Sequence, residues 1–299
     1  MAMGNRQTNP TNIADGLMVN EVWSKLIQRN LDDYGVMADC VNRKYEGEIK
    51  FSGDTVRIPT LGNITVRTHS DATAITYDTP SGSEQTLLID QQKEWGFKIS
   101  KIEMKQANIK ELQSRYVERA KVALANNTDT ALHALGFAGV DSNNQIGTVA
   151  VTKANIYDVC LDLYQALADS NAINASGKGD DGKRPWLVVP PAIVKLMKAS
   201  DEMTHSTAAA DEVIRKGTIL QYAGFDVKQS TLVKGTAGSG TTSFNILAGT
   251  TEAITYARQI IDTEVFKDKD YHGIFVSGLD VYGHKVIQPK ALASATLTV

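Results

Sequence analysis

The loop Gly177–Arg184 is the stretch of this sequence that comes nearest to a chemical motif. "GKGDDGKR" satisfies the phosphate-binding pattern G-x-x-x-x-G-K, but Arg184 stands where that motif needs a Ser or Thr hydroxyl to bind Mg²⁺. A P-loop also follows a strand and opens a helix, whereas this segment follows polar residues and precedes the apolar run "WLVVPP". We therefore interpret it as a solvated loop.

The other reactive residue types are scattered along the chain. No pair of the 5 histidines has the spacing of a zinc-binding helix, and there is no G-x-S-x-G nucleophile elbow. The carboxylate pairs Asp32-Asp33 and Asp180-Asp181 are adjacent, so their side chains point apart on a helix or a strand. The sequence thus predicts no catalytic, cofactor-binding or metal site, and we expect neither a cofactor nor enzyme activity.

Composition indicates a folded chain without the charge of a dedicated nucleic-acid binder. Hydrophobic residues make up 42% of the sequence and the net charge is −3. The 2 cysteines, Cys40 and Cys160, are far apart, which is typical of buried thiols in a reducing cytoplasm. The N-terminal residues contain no apolar signal-peptide core, and no run approaches the roughly 20 apolar residues of a membrane span. We expect neither secretion nor membrane insertion.

Residues 46–97 predict an extended β arm. The runs "TVRIP" and "NITV" alternate apolar and polar residues and are separated by turn signals. Each run has few large apolar residues, so the arm cannot build a core alone and needs a partner surface. A polar segment, residues 1–15, and a short amphipathic helix from Val19 to Leu31 precede it.

A long helix follows the arm. Ser100 to Glu103 fits the capping box S-x-x-E, apolar residues recur at helical spacing up to Leu135, and Gly136 and Gly139 predict its end. About 35 residues correspond to a rod of roughly 50 Å. That length exceeds the usual helix of a compact domain.

The second half of the chain predicts a mixed α/β region. A second helix is expected from a cap at Thr152 to Leu167, then a buried strand "WLVVPP" and a short helix opened by Pro191. The loop "KGTAGSGTTS" follows, and two strands near Ile274–Val276 and Val281–Ile287 close the pattern.

Three stretches together resemble the major capsid protein of tailed bacteriophages, the Hong Kong 97 fold. The stretches are "EGEIKFSGDTVRIPTLGNITV", "IRKGTILQYAGFDVKQSTLV" and "EAITYARQI…DYHGIFVSGLDVYGHKVIQPKALA". With the long helix between them, the resemblance covers nearly the whole chain.

The resemblance implies an α+β fold with four parts. An N-terminal arm would cover residues 1–45 and a long β extension loop residues 46–97. Residues 98–149 and 251–299 would form a peripheral domain with a long spine helix, and residues 150–250 an axial α/β domain. Val281, Val286 and Ile287 would pack the last part of the chain beside the long arm or the spine helix.

The implied function is a structural one. The chain would self-assemble through pentamers and hexamers into the icosahedral head shell of a virion, enclosing double-stranded DNA that it contacts non-specifically at most. Assembly would take place in the cytoplasm of the host bacterium. Because only about 45 residues precede the arm, we expect a separate scaffolding protein, if one is used, together with a portal protein. A decoration protein stays an open alternative.

The subunit contacts are expected along the extension loop. The interface residues predicted are Arg57, Ile58, Pro59, Ile64, Val66, Ile75 and Tyr77. Three alternatives stay open at this point. They are a compartment shell of the encapsulin type, an α/β enzyme with a lid hairpin, and a tail or adhesion protein.

Overall fold

The computed structural model describes most of the chain beyond its N-terminal part. The described residues are 36–45, 55–61, 64–68, 71, 74, 77–79, 82–100, 109–200, 221–233, 236–237, 242–267 and 272–299. The helix predicted near Val19 lies outside them. The chain divides into a larger unit, Asp33–Gln92, Ala125–Ile260 and Val281–Val299, and a smaller unit, Met1–Asp32, Lys93–Leu124 and Ile261–Asp280.

The described part is mixed α/β, with three helices and several sheets. The helices are α1 (Ile109–Ala138), α2 (Ile156–Asp169) and α3 (Pro191–Lys198), and short 3-10 turns cover Met37–Asp39, Ser142–Asn144 and Pro289–Ala291. The strands are β1 (Thr55–Leu61), β2 (Gly82–Leu88), β3 (Gln91–Ser100), β4 (Gln145–Ala150), β5 (Trp186–Val189), β6 (Gln221–Tyr222), β7 (Phe225–Gln229), β8 (Thr236–Ala237), β9 (Thr242–Gly249), β10 (Ile254–Phe266), β11 (Gly273–Val286) and β12 (Leu292–Thr298). No described helix is long and apolar enough to cross a bilayer.

A seven-stranded mixed sheet forms the centre of the larger unit. Its order is β4-β12-β9-β5-β7-β6, with β8 paired to β9. β12 runs parallel to β4 and antiparallel to β9, and β5 runs parallel to β7. All four residues of β5 are buried, as expected for a strand covered on both faces.

Alternate residues of β5 point into two cores on opposite faces of this sheet. Leu187 and Val189 join the cluster made with α2 and α3, whereas Trp186 and Val188 join a second cluster that includes Leu132 of α1. The period of two along a strand explains this division. The predicted buried strand and the helix opened by Pro191 are both confirmed.

Helix α1 ends as predicted, with Gly139 directly after its last residue, Ala138, whereas its predicted start falls among residues outside the described part. Ser100 is the last residue of β3, residues 101–108 lie outside the described part, and the helix then runs unbroken for 30 residues, about 45 Å. Gly136 lies inside the helix, and a Cβ there would come within 2.6 Å of the Leu247 side chain. This glycine permits close packing and does not end the helix.

Helix α2 begins later than predicted. Its first residue is Ile156 and its N-cap is Asn155. The Asn155 side-chain oxygen accepts a hydrogen bond from the Thr152 amide at 2.7 Å. Thr152 therefore donates to the capping residue and does not itself cap the helix.

The strands of the last third of the chain were also predicted incompletely. β3, β11 and β10 form a three-stranded sheet, in which β11 is one strand of 14 residues and not two. Gly278 in its middle marks close packing, because a Cβ there would overlap the Trp95 indole. The alanine-rich residues that follow form β12, a further strand.

Candidate subunit interface

The base of the β1–β2 hairpin is anchored in its own chain. The two strands pair antiparallel with Val56 opposite Leu87, so both side chains point to the same face. Val56 and Ile58 are each 8% exposed and join a cluster that also contains Val281 and Ile287. The expectation that Val281 and Ile287 pack beside the long arm is therefore confirmed.

Polar contacts and one glycine hold this base close to β11. The Lys285 ammonium donates to the Thr86 carbonyl at 2.8 Å, and the side-chain nitrogen of Gln85 donates to the Ile287 carbonyl at 3.0 Å. A Cβ on Gly283 would overlap the carbonyl oxygen of Leu88, so only glycine permits this approach. The orientation of the hairpin base within the larger unit is thus set by specific contacts.

The outward face of β1 is polar and exposed. Arg57 and Pro59 point away from the cluster, and the Arg57 guanidinium lies 3.4 Å from the Glu84 carboxylate on β2. Exposed ion pairs of this kind stabilise a fold by only about 0–1 kcal/mol. These predicted interface residues are therefore available for contact with another molecule.

The part of the hairpin beyond β1 exposes large apolar side chains. Ile64 is 75%, Val66 is 95% and Tyr77 is 84% exposed. Ile75, the remaining residue of the predicted interface, lies outside the described residues. Side chains of these types are usually buried, so their exposure makes this part of the hairpin the candidate contact surface.

An ion pair fixes the backbone that carries these side chains. The Arg67 guanidinium donates to one oxygen of Asp78, and the Thr65 amide donates to the other at 3.0 Å. The Arg67 guanidinium, helped by the Thr65 amide, lowers the pKa of the Asp78 carboxyl below its ordinary value. Residues 65–67 and Asp78 are therefore held opposite each other.

The motifs considered for chemistry serve local structure. In the loop at Gly177–Arg184 the Gly179 amide donates to the Lys183 carbonyl at 2.8 Å and the Gly182 amide donates to the Gly179 carbonyl at 3.0 Å. These amides are used inside the loop, unlike the free amides of a phosphate cradle. No three His, Cys, Asp or Glu side chains of the described part come together as a metal site.

The two cysteines are buried, and His133 and His284 are partly buried. Burial raises the pKa of Cys40 and of Cys160 to about 12, so both thiols are protonated and unreactive at neutral pH. Burial also lowers the pKa of His133 and of His284. Burial is the main cause of all four pKa shifts, as expected for side chains that pack in a core.

The smaller unit carries a second exposed apolar surface that the sequence reasoning missed. The rings of Phe266 and Phe275 stack with centroids 5.4 Å apart and line a groove of 310 Å³ next to Gly96. Val265 and Leu279 are also exposed. The alternation in "GIFVSGLD" is the signal that could have revealed it, because it places Phe275 and Leu279 on one face of β11.

Comparison with known proteins identifies the architecture. No protein-family model matches the sequence, and no curated protein matches it. A structure from Mycobacterium phage Che8 shares 23% identity with a TM-score of 0.72, covering 93% of this chain and 96% of that chain. The capsid structure of the cyanophage P-SCSP1u shares 13% identity with a TM-score of 0.67, covering 97% and 95%.

A third structure extends the same result. The capsid of Ralstonia phage GP4 shares 13% identity with a TM-score of 0.64, covering 99% of this chain and 98% of that chain. At such identities the likeness is one of fold, and it spans nearly the full length of each pair of chains. The resemblance drawn from the sequence is therefore confirmed at the level of architecture: the chain has the fold of phage capsid structures.

Proposed function

We propose that the chain is the major capsid protein of a tailed bacteriophage, a structural subunit that assembles with itself into the head shell. The observation that carries this proposal is the full-length likeness of fold. Coverage is at least 92% of this chain and of each matched chain in the capsid structures of P-SCSP1u, PhiM1, GP4 and XM1. A likeness confined to one shared subdomain would not support it.

The parts of the chain are assigned in the same proposal. We take residues 1–45 as the N-terminal arm and 46–97 as the extension loop, an assignment that the β1–β2 hairpin supports. Helix α1 is the candidate spine helix of a peripheral domain formed by 98–149 and 251–299. Residues 150–250 are the candidate axial domain.

The subunit contact is proposed for the distal part of the hairpin. Ile64, Val66 and Tyr77 have no buried environment in their own chain, and burial of such a side chain contributes about 1.5–3 kcal/mol. Arg57 and Pro59 would lie at the edge of the contact, and Ile75 is kept as part of it. Ile58 is already buried in its own chain, so we assign it a supporting role.

The assembly units, the location and the partner proteins are proposed from the resemblance alone. We propose pentamers and hexamers as assembly units, a location in the virion after assembly in the host cytoplasm, and a scaffolding and a portal protein as partners. We propose no catalytic activity. Closed symmetry would repeat one contact many times, so a modest energy for each subunit is enough to hold a shell.

The test compares assembly of the wild-type chain with that of a triple variant, Ile64→Ser, Val66→Ser and Tyr77→Ser. Negative-stain electron microscopy and sedimentation velocity are run on each chain, alone and after co-expression with a candidate scaffolding protein from the same phage. The control is Leu161→Ser with Val299→Ser, which removes exposed apolar side chains elsewhere in the larger unit.

We expect wild type and control to form shells, or stable pentamers and hexamers, while the triple variant stays folded and unassembled. Particle diameter separates a phage head from a small compartment shell. A wild-type chain that remains monomeric at every concentration and salt, with and without scaffolding protein, would overturn the proposed function. Shells of normal yield from the triple variant would overturn the proposed contact only.

A further inference from the structure

The segment 36–45 is seated firmly on the larger unit. Met37, Cys40 and Val41 are buried in the cluster that contains Leu132 of α1 and Tyr256 of β10. Apolar burial of this extent is unusual for a stretch whose regular structure is one 3-10 turn and one isolated β-bridge, between Asn42 and Thr255. The segment therefore belongs to the core of this unit.

The N-terminal end of the segment is held by a carboxylate of helix α1. One oxygen of Asp129 accepts hydrogen bonds from the amides of Met37 at 2.6 Å and Ala38 at 3.3 Å, and the other accepts from the Val36 amide at 3.0 Å. Asp129 is only 3% exposed. No side chain caps the Met37–Asp39 turn at its own N-cap, so a residue 91 to 93 positions away supplies the cap.

The charge of Asp129 depends on this contact. Burial raises the pKa of Asp129, and the three amide hydrogen bonds act against that rise. The Asp39 carboxylate lies nearby and raises the pKa further. The three amide hydrogen bonds therefore favour the ionised form of Asp129 against the effect of burial.

The C-terminal end of the segment is fastened to β10. The Asn42 amide donates to the Ile254 carbonyl, and the Tyr256 amide donates to the Asn42 carbonyl, both at 2.9 Å. The Arg43 guanidinium lies over the Tyr256 ring at 5.9 Å from its centroid. The segment is thus held at both ends.

The last residue of the segment reaches the base of the candidate interface. Tyr45 packs against the cluster formed by Val56, Ile58, Leu87 and their partners on β11. A contiguous set of contacts therefore connects Asp129 to the base of the β1–β2 hairpin.

We propose that Asp129 is a positioning residue for the subunit interface. It holds the segment 36–45 as a clasp between helix α1 and the hairpin base, and the clasp sets the direction in which the hairpin leaves the core. This inference rests on the proposed function, because the hairpin is its candidate interface. Loosening the clasp would misdirect the hairpin without removing any residue of the contact itself.

The test measures amide hydrogen exchange by mass spectrometry in the full chain before assembly. Asp129→Asn keeps the shape of the side chain and removes its charge. The control is Asp141→Asn, because the Asp141 side chain also caps a 3-10 turn but accepts its hydrogen bond from the local Asn143 amide, at 3.0 Å. The same chains are then tested for shell formation.

We expect Asp129→Asn to raise exchange of residues 36–45 by about tenfold or more, the size expected from losing a charge-assisted hydrogen bond. A smaller rise is expected in residues 82–90 of the hairpin base, together with fewer closed shells. The control should leave exchange and shells unchanged. If Asp129→Asn does not fold, the measurement is repeated with Arg43→Ala. This variant removes the contact with the Tyr256 ring at the C-terminal end of the segment.

Two results would overturn the inference. Unchanged exchange in residues 36–45 would show that Asp129 does not hold the clasp. Faster exchange in the clasp with an unchanged hairpin base and normal shells would show that the clasp does not position the interface. Failure of the wild-type chain to assemble would count against the proposed function, while the exchange data would still decide whether Asp129 controls the hairpin base.

Discussion

The base and the distal part of the β1–β2 hairpin contain the same residue types in opposite environments. Val56 and Ile58 are buried against β11, whereas Ile64 and Val66, only a few positions later, are largely in water. Neither residue type nor local pattern distinguishes the two pairs. The difference shows that, among the described residues, a thin β arm divides its apolar side chains between a buried base and an exposed distal part.

The largest effect should come from placing a charge in the anchor. Leu87 is fully buried while its neighbour Leu88 is 50% exposed. Leu87→Asp should lower the free energy of unfolding by about 3–5 kcal/mol, because it buries an unpaired carboxylate. Leu88→Asp should change it by less than about 0.5 kcal/mol. Urea unfolding of both variants checks this, and equal losses would contradict the division into anchor and surface.

The next largest loss of stability is predicted for isoleucine at the base of the hairpin, compared with isoleucine in its distal part. Ile58→Ala should cost about 2–5 kcal/mol of stability, since it leaves a cavity in the anchoring cluster. Ile64→Ala should leave the free energy of unfolding within about 0.5 kcal/mol of the wild type and should weaken assembly instead. Thermal unfolding and sedimentation velocity separate the two outcomes. A destabilised but normally assembling Ile64→Ala variant would reverse the interpretation.

A smaller loss of stability should follow from adding a methyl group where β11 packs against the base of the hairpin. Gly283→Ala forces a methyl group against the Leu88 carbonyl and should cost about 1–3 kcal/mol. Gly96→Ala is the matched control on the neighbouring strand of the smaller unit, where the nearest atom to a new Cβ is 3.5 Å away. Calorimetry of the two variants tests this, and a stable Gly283→Ala chain would show that β11 can move away from the hairpin.

The smallest effect is a local pH dependence in the distal part. The pKa of Asp78 is lowered in the folded chain, mainly by Arg67, so the ion pair is complete above the unfolded pKa of about 3.9 and is lost as pH falls through the folded value. Between pH 5 and 8 the pair should not change. Arg67→Ala should raise the pKa of Asp78 back towards its ordinary value, while Arg57→Ala should not.

Carboxyl carbon NMR of Asp78 over acidic pH checks this prediction. Its titration should lie below that of an unpaired aspartate in the wild type and in Arg57→Ala. Identical titration curves in the wild type and Arg67→Ala would mean that the ion pair does not form in solution.

Much of the secondary structure could be predicted because it depends on short-range periodicity. The alternation of β1, the helical spacing in α1 and Pro191 at the first turn of α3 are all local patterns. β11 was divided wrongly because Gly278 looks like a break in sequence. In the fold it provides the space for Trp95, a residue that is distant in the chain.

The candidate interface was predicted only in part. The sequence indicated that the arm needs a partner surface, and it named Ile58 and Ile64 alike. It contained no signal for the clasp, because the capping carboxylate of Asp129 is more than 90 positions from the amides it binds. Hydrogen bonds of such long range follow from the packing of α1 and leave no local pattern.

The sequence by itself determined that the chain folds, through an apolar fraction large enough for a core, and it predicted the fold through ordered stretches that resemble capsid proteins. The tertiary structure alone decided which of these similar apolar residues are buried at the base of the arm and which are exposed. The physical reason is that burial depends on the whole surface packed against a side chain. For this hairpin that surface comes from β10 and β11, about 200 residues further along the chain.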